Sequence, residues 1–84
     1  MKVCIVGTGS QGTGLAGLLA MEADVERLVI ADYSEKNLEI ARGLIDRLGD
    51  KKKVKDIQTK KVNAGDTDDV ARVIAGSDVV FNGI

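Results

Sequence analysis

Three glycines in the stretch Gly7-Thr8-Gly9-Ser10-Gln11-Gly12 and an acid, Asp32, twenty residues past the last of them, are the groups here whose type and spacing could do chemistry. That chemistry is recognition of a diphosphate and a sugar rather than the making or breaking of bonds. Gly7 has no Cβ to clash, so a strand can reverse sharply into a helix at this position. Gly9 lets the backbone approach a pyrophosphate, and Gly12 lets the helix lie close on the strand. A helix starting near Ser10 would aim unpaired N–H groups and a partial positive charge at the phosphates. Asp32, at the tip of a second strand, would accept hydrogen bonds from the hydroxyls of an adenosine ribose.

Such a glycine pattern is weak by itself, and its weight comes from the elements that must position it. Val3-Cys4-Ile5-Val6 reads as a buried strand running into the turn, and the small-residue segment from Ser10 to about Met21 reads as a helix. Leu15, Leu18 and Leu19 are its expected apolar contacts, with Gly12 and Ala16 as its close-packing side. Gly14 and Gly17 each lower its helicity by about 1 kcal/mol relative to alanine, so packing must hold it. Arg27 to Ala31 gives a second strand that ends at the acid. Strand, helix, second strand and terminal acid agree, which favours a nucleotide-binding βαβ unit over a glycine-rich turn that binds nothing.

Ser34 is a good N-cap for a second helix to about Leu48, with Leu38, Ala41, Ile45 and Leu48 on one face and Gly49 as its C′ stop. A third strand is expected at about Ile57 to Val62. Asp66 or Thr67 caps a third helix, about Asp68 to Ala75, that Gly76 ends. Asp78 to Asn82 gives a fourth strand. The sum, β-α-β-α-β-α-β with right-handed crossovers, is an α/β Rossmann-type parallel sheet in the order 3-2-1-4, truncated before strands five and six. Its fourth strand has an unpaired apolar edge. The expectation is therefore one NAD(P)-binding domain over residues 1–84, as the N-terminal fragment of a larger protein or a half completed by forming a homodimer.

Composition narrows the classes. A chain of 84 residues, 44% hydrophobic and 30% charged, suits one small globular domain. A formal net charge of −1 argues against nucleic-acid or membrane-surface binding. Lys51, Lys52, Lys53, Lys55, Lys60 and Lys61 form a basic window, but no aromatics interleave it, and a solvated face protecting an edge strand is the better reading than a phosphate patch. Cys4, the one cysteine, reads as a packed thiol. The first apolar run is too short for a signal or a membrane span, and a reducing cytoplasm is the simplest setting.

The segments Lys2 to Gly12, Val29 to Ser34, Asn63 to Val70 and Ser77 to Asn82 together resemble the N-terminal nucleotide-binding domain of the saccharopine dehydrogenase family. Gln11 before the third glycine, and Ala64-Gly65-Asp66 at the end of strand three, tilt the resemblance toward that family. It implies an NAD(P)-dependent oxidoreductase acting at a carbon–nitrogen bond of an amino acid, with a small amino-acid substrate bound by a domain outside this chain. It also implies that Asp66 contacts the adenine and that Asn82 with Gly83 lines the cofactor. Their plainer alternatives are a helix cap and a strand-end turn.

The expected cofactor-contacting set is Gly7, Gly9, Ser10, Gln11, Gly12, Asp32, Tyr33, Ser34, Asp66, Asn82 and Gly83. Asp32 would repel a 2′-phosphate and no arginine stands at positions 33 to 36, so NAD is favoured over NADP, although Ser34 and Lys36 could partly compensate. The chain has no histidine and no paired acid and base, so catalytic groups are not expected within it. A sensing module of the same fold, of the kind that regulates potassium transport by binding NAD(H), is the rival reading, and a ligand-free Rossmann-like domain is a third.

Overall fold

A computed structural model describes residues 1–83; Ile84 and the side chain of Ser10 lie outside the described residues. The chain runs β1 (Lys2–Val6), α1 (Gly9–Ala20), β2 (Arg27–Asp32), α2 (Glu35–Asp46), β3 (Asp56–Lys61), α3 (Thr67–Ile74) and β4 (Val79–Asn82). The four strands pair in parallel in the order β3-β2-β1-β4, the order expected from the sequence. Among the described residues no helix is long and apolar enough to cross a membrane.

The two central strands are apolar from Val3 to Val6 and from Leu28 to Ala31 because both their faces are covered there. Side chains alternate between the faces along each strand. Val3, Ile5, Leu28 and Ile30 thus join one core with Ala16 and Ala20 of α1 and Leu38, Ala41 and Ile45 of α2. Cys4, Val6, Val29 and Ala31 join a smaller one with Val73 of α3 and with Val62. The Cys4 thiol lies 3.7 Å from the Val73 carbonyl, and burial pushes its pKa up despite the opposing influence of Lys60 and Ser77. β3 forms one edge of the sheet, with Lys60 half-buried, and Lys51, Lys52, Lys53, Lys55 and Lys61 are exposed. At the other edge Val80 and Phe81 of β4 are 40% and 39% exposed.

Helix α1 buries Ala16 and Ala20, with Leu15 and Leu19 half-buried beside them. Leu18, expected as an apolar contact, is instead 62% exposed. It stands two residues from Ala16, about 200° round the helix, and so points to solvent. Gly17 has a packing reason: a Cβ there would come within 3.2 Å of Leu44 Cδ2 on α2. Gly14 has none, being exposed with nothing within 4 Å of where its Cβ would stand. Gly14→Ala is therefore expected to stabilise the fold by about 0.4–1 kcal/mol, raising the thermal midpoint by a few degrees. Gly17→Ala should gain less or lose, and calorimetry of the two variants checks the contrast.

Ser34 caps α2, its Oγ accepting from the Asn37 amide at 3.3 Å. The helix stops at Asp46 with Arg47 as its C-cap, before the expected end. Gly49 is consequently not the C′ residue; it opens a following 3-10 turn, Gly49–Lys51, with φ +55°. Leu48 still packs against the larger core. Asp66 caps α3, its Oδ1 accepting from the Asp68 and Asp69 amides at 3.0 and 3.3 Å.

Candidate functional site

The site lies at the carboxyl ends of the parallel strands, where backbone bonds hold the four strand ends together. The Gly7 amide donates to Ala31 O at 2.8 Å, Gly83 to Val6 O at 2.7 Å, and Val62 to Asp32 O at 3.0 Å. Gly7 and Gly9 take φ of +84° and +48°, the left-handed region where a side chain is strained. Above Gly9 there is open space, with nothing within 4 Å of a built Cβ. Gly12 is the reverse case: a Cβ there would stand 2.7 Å from the Gly7 carbonyl oxygen. Gly83 is close to the same oxygen, which would stand 2.6 Å from its own built Cβ.

A cavity of about 300 Å³ opens over this turn. Of the residues expected to touch a cofactor, the structure brings Gly7, Gly9, Asp32, Tyr33 and Gly83 to its walls, and Thr8, Asn37, Val62 and Ala64 complete the lining. A second cavity of about 680 Å³ adjoins it, sharing Tyr33, Val62 and Ala64 and extending to Lys61, Asn63, Gly65 and Asp69. Tyr33 is 73% exposed and stands where the two meet. The Asp69 carboxylate is committed locally: the Asn63 amide at 2.7 Å and Arg72 Nη2 at 2.6 Å hold its pKa below the usual aspartate range.

The other expected residues sit elsewhere. Gln11 is exposed on the first turn of α1, and Gly12 acts beneath the turn. Ser34 caps α2 and gives its amide to Asp32, while Asp66 caps α3 and is not among the lining residues of either cavity. Asn82, paired beside Val6, lines a separate pocket of about 280 Å³ with Val70, Ile74 and Val80. The expectation for the Ser10 side chain falls outside the described residues.

Asp32 is nearly buried, at 3% exposure, and its carboxylate faces protein donors. Oδ2 accepts from the Thr8 amide at 2.8 Å, the Thr8 hydroxyl at 2.6 Å and Asn37 Nδ2 at 3.4 Å. Oδ1 accepts from the Ser34 amide at 2.9 Å. Burial alone would push its pKa up, but these bonds, the Thr8 hydroxyl first, hold it below the ordinary value. Thr8 and Asn37 were not singled out by the sequence; a polar β-branched residue between two glycines, and an asparagine in a helix's first turn, were the available signals.

Thr8 also occupies the N-cap position of α1, yet its hydroxyl goes to Asp32 and caps nothing. No acid stands in the first turn of α1, whereas α2 begins with Glu35, and α3 carries Asp68 and Asp69 in its own first turn. This helix start therefore leaves its positive end toward the glycine turn without a neutralising carboxylate of its own.

The sequence model of the saccharopine dehydrogenase NADP binding domain matches residues 3–84. The chain belongs to that family. Among solved structures it is similar to a 3-hydroxyacyl-CoA dehydrogenase from Archaeoglobus fulgidus, at 28% identity and a TM-score of 0.59. The likeness covers 98% of this chain and 24% of that one, so these residues span about a quarter of that dehydrogenase. No curated protein matches the chain significantly. A member of this family with this sheet order is a dinucleotide-binding domain of oxidoreductase type. The family's description leans toward NADP, whereas the acid at the end of β2 had favoured NAD.

Proposed function

We propose that this domain holds NADP for a saccharopine dehydrogenase-like oxidoreductase that acts on a carbon–nitrogen bond of an amino acid, with the substrate bound by residues outside this chain. The observation that carries the reading is the turn itself: Gly9, with open space above a left-handed backbone, stands at the start of a helix whose N-cap hydroxyl is turned away. A Cβ at Gly9 would occupy that space, so the cradle suits a group that approaches the backbone closely, as a diphosphate does. The first-turn N–H groups of α1 then face the phosphates, and the exposed Tyr33 ring, between two joined cavities, offers a flat apolar surface to the adenine.

NADP in place of NAD is supported by the family's description, and the inward-facing Asp32 charge does not oppose it. A carboxylate that would repel a 2′-phosphate is turned inward onto four donors. When bound, the nicotinamide ring supplies the hydride chemistry, and the residues of this chain bind and orient the dinucleotide. Calorimetric titration with NADP and with NAD tests the reading. Binding of both, tighter for NADP, is expected; no heat and no thermal shift at millimolar concentrations of either would leave a Rossmann-like domain that binds no dinucleotide.

A further inference from the structure

Thr8 and Asp32 are the buried polar side chains among the described residues, and they are bonded to each other. Two of the Asp32 Oδ2 contacts come from Thr8 alone, through its amide at 2.8 Å and its hydroxyl at 2.6 Å. With Asn37 Nδ2 at 3.4 Å as a third donor, that oxygen is fully engaged within the protein, while Oδ1 accepts one bond. Thr8 is flanked by the two glycines whose backbone shapes the cradle, so this pair of bonds fixes the peptide leading into Gly9. Ser34 bonds the other carboxylate oxygen and anchors it to the start of α2.

From this geometry we infer that Asp32 is a positioning residue: it acts on the dinucleotide through Thr8, by holding the phosphate turn in shape, and does not choose between NAD and NADP by contact with the ribose. The inference rests on the dinucleotide-binding reading and concerns how one residue serves it. Its consequence is that Asp32 and Thr8 affect both cofactors alike. A carboxylate gripping the sugar would affect them oppositely, because it would bind a free 2′-hydroxyl and repel a 2′-phosphate.

The test is titration of the protein and its variants with NADP, NAD and ADP. Thr8→Val keeps the shape but removes the hydroxyl, and affinity for all three ligands should fall about tenfold in parallel, the worth of a charge-assisted hydrogen bond. Thr8→Ser, which restores the hydroxyl, should recover it; with all titrations run where circular dichroism shows each variant fully folded, a role confined to general stability would leave the affinities unchanged. Asp32→Asn should lower both dinucleotide affinities while leaving their ratio within about threefold, and it carries the test alone if Thr8→Val does not fold. A shift of the ratio toward NADP by about tenfold or more in Asp32→Asn, or an unchanged affinity in folded Thr8→Val, overturns the inference while dinucleotide binding by the parent stands. Failure of the parent to bind any of the three ligands overturns the binding reading and this inference with it.

Discussion

Gly9→Val is expected to weaken NADP binding at least a hundredfold, about 2.7 kcal/mol, while leaving a folded domain. Two effects combine. The valine branches would stand in the open space over the turn, the space a diphosphate needs to reach the backbone amides. The backbone at φ +48° also disfavours a β-branched residue by roughly 1–2 kcal/mol, which on a domain of this size lowers the thermal midpoint by roughly 4–16 °C. Circular dichroism would show the sheet and helices retained at ambient temperature. Retention of affinity in the variant would mean that the turn does not meet the phosphates. Gly14→Ala, on the outer side of the same helix, serves as the control that should bind normally.

Gly12→Ala should damage the fold as well as the site. Its Cβ would stand 2.7 Å from the Gly7 carbonyl oxygen, an atom of the backbone that cannot swing away as a side chain could. Either α1 lifts from β1 or the turn deforms, and overpacking of this kind costs roughly 1–3 kcal/mol. Gly83→Ala meets the same oxygen from the β4 side, at 2.6 Å. Each variant is expected to lower the thermal midpoint by roughly 4 °C or more and to weaken dinucleotide binding, because both displace the residue that begins the cradle. The two losses should not be simply additive in the double variant, since both clashes fall on the same carbonyl oxygen. A midpoint unchanged in Gly12→Ala would show that the turn and the helix are less tightly apposed.

Much of the architecture was legible in the residues, for identifiable reasons. Val3 to Val6 and Leu28 to Ala31 are continuous apolar runs, a pattern suited to strands covered on both faces, and Ser34 and Asp66 are residues whose side chains bond helix amides. The glycine turn was legible because left-handed backbone and close approach are demands that one residue type meets best. The partners of Asp32 were not. Thr8 is 24 residues from it in sequence, and the two meet because β1 and β2 lie side by side with Val6 opposite Ala31. Pairing of that sort is a property of the assembled sheet. Leu18 was misplaced for a local reason: a helix with leucines on several sides leaves its buried face to be decided by the alanines that fit the sheet. Gly49 marked a left-handed residue correctly in kind, but α2 had already ended and the residue shapes the next turn.

The two sides of the sheet differ in thickness. One is roofed by α1 and α2 together, the other by the eight-residue α3 with few buried side chains beneath it. The thinner roof should detach first during native fluctuations, well before global unfolding. The sulfur of Cys4 sits under it, completely shielded, so an alkylating reagent can reach it only while that helix is lifted. The rate of its modification would thus be a built-in clock for the opening of one layer, read without any added label.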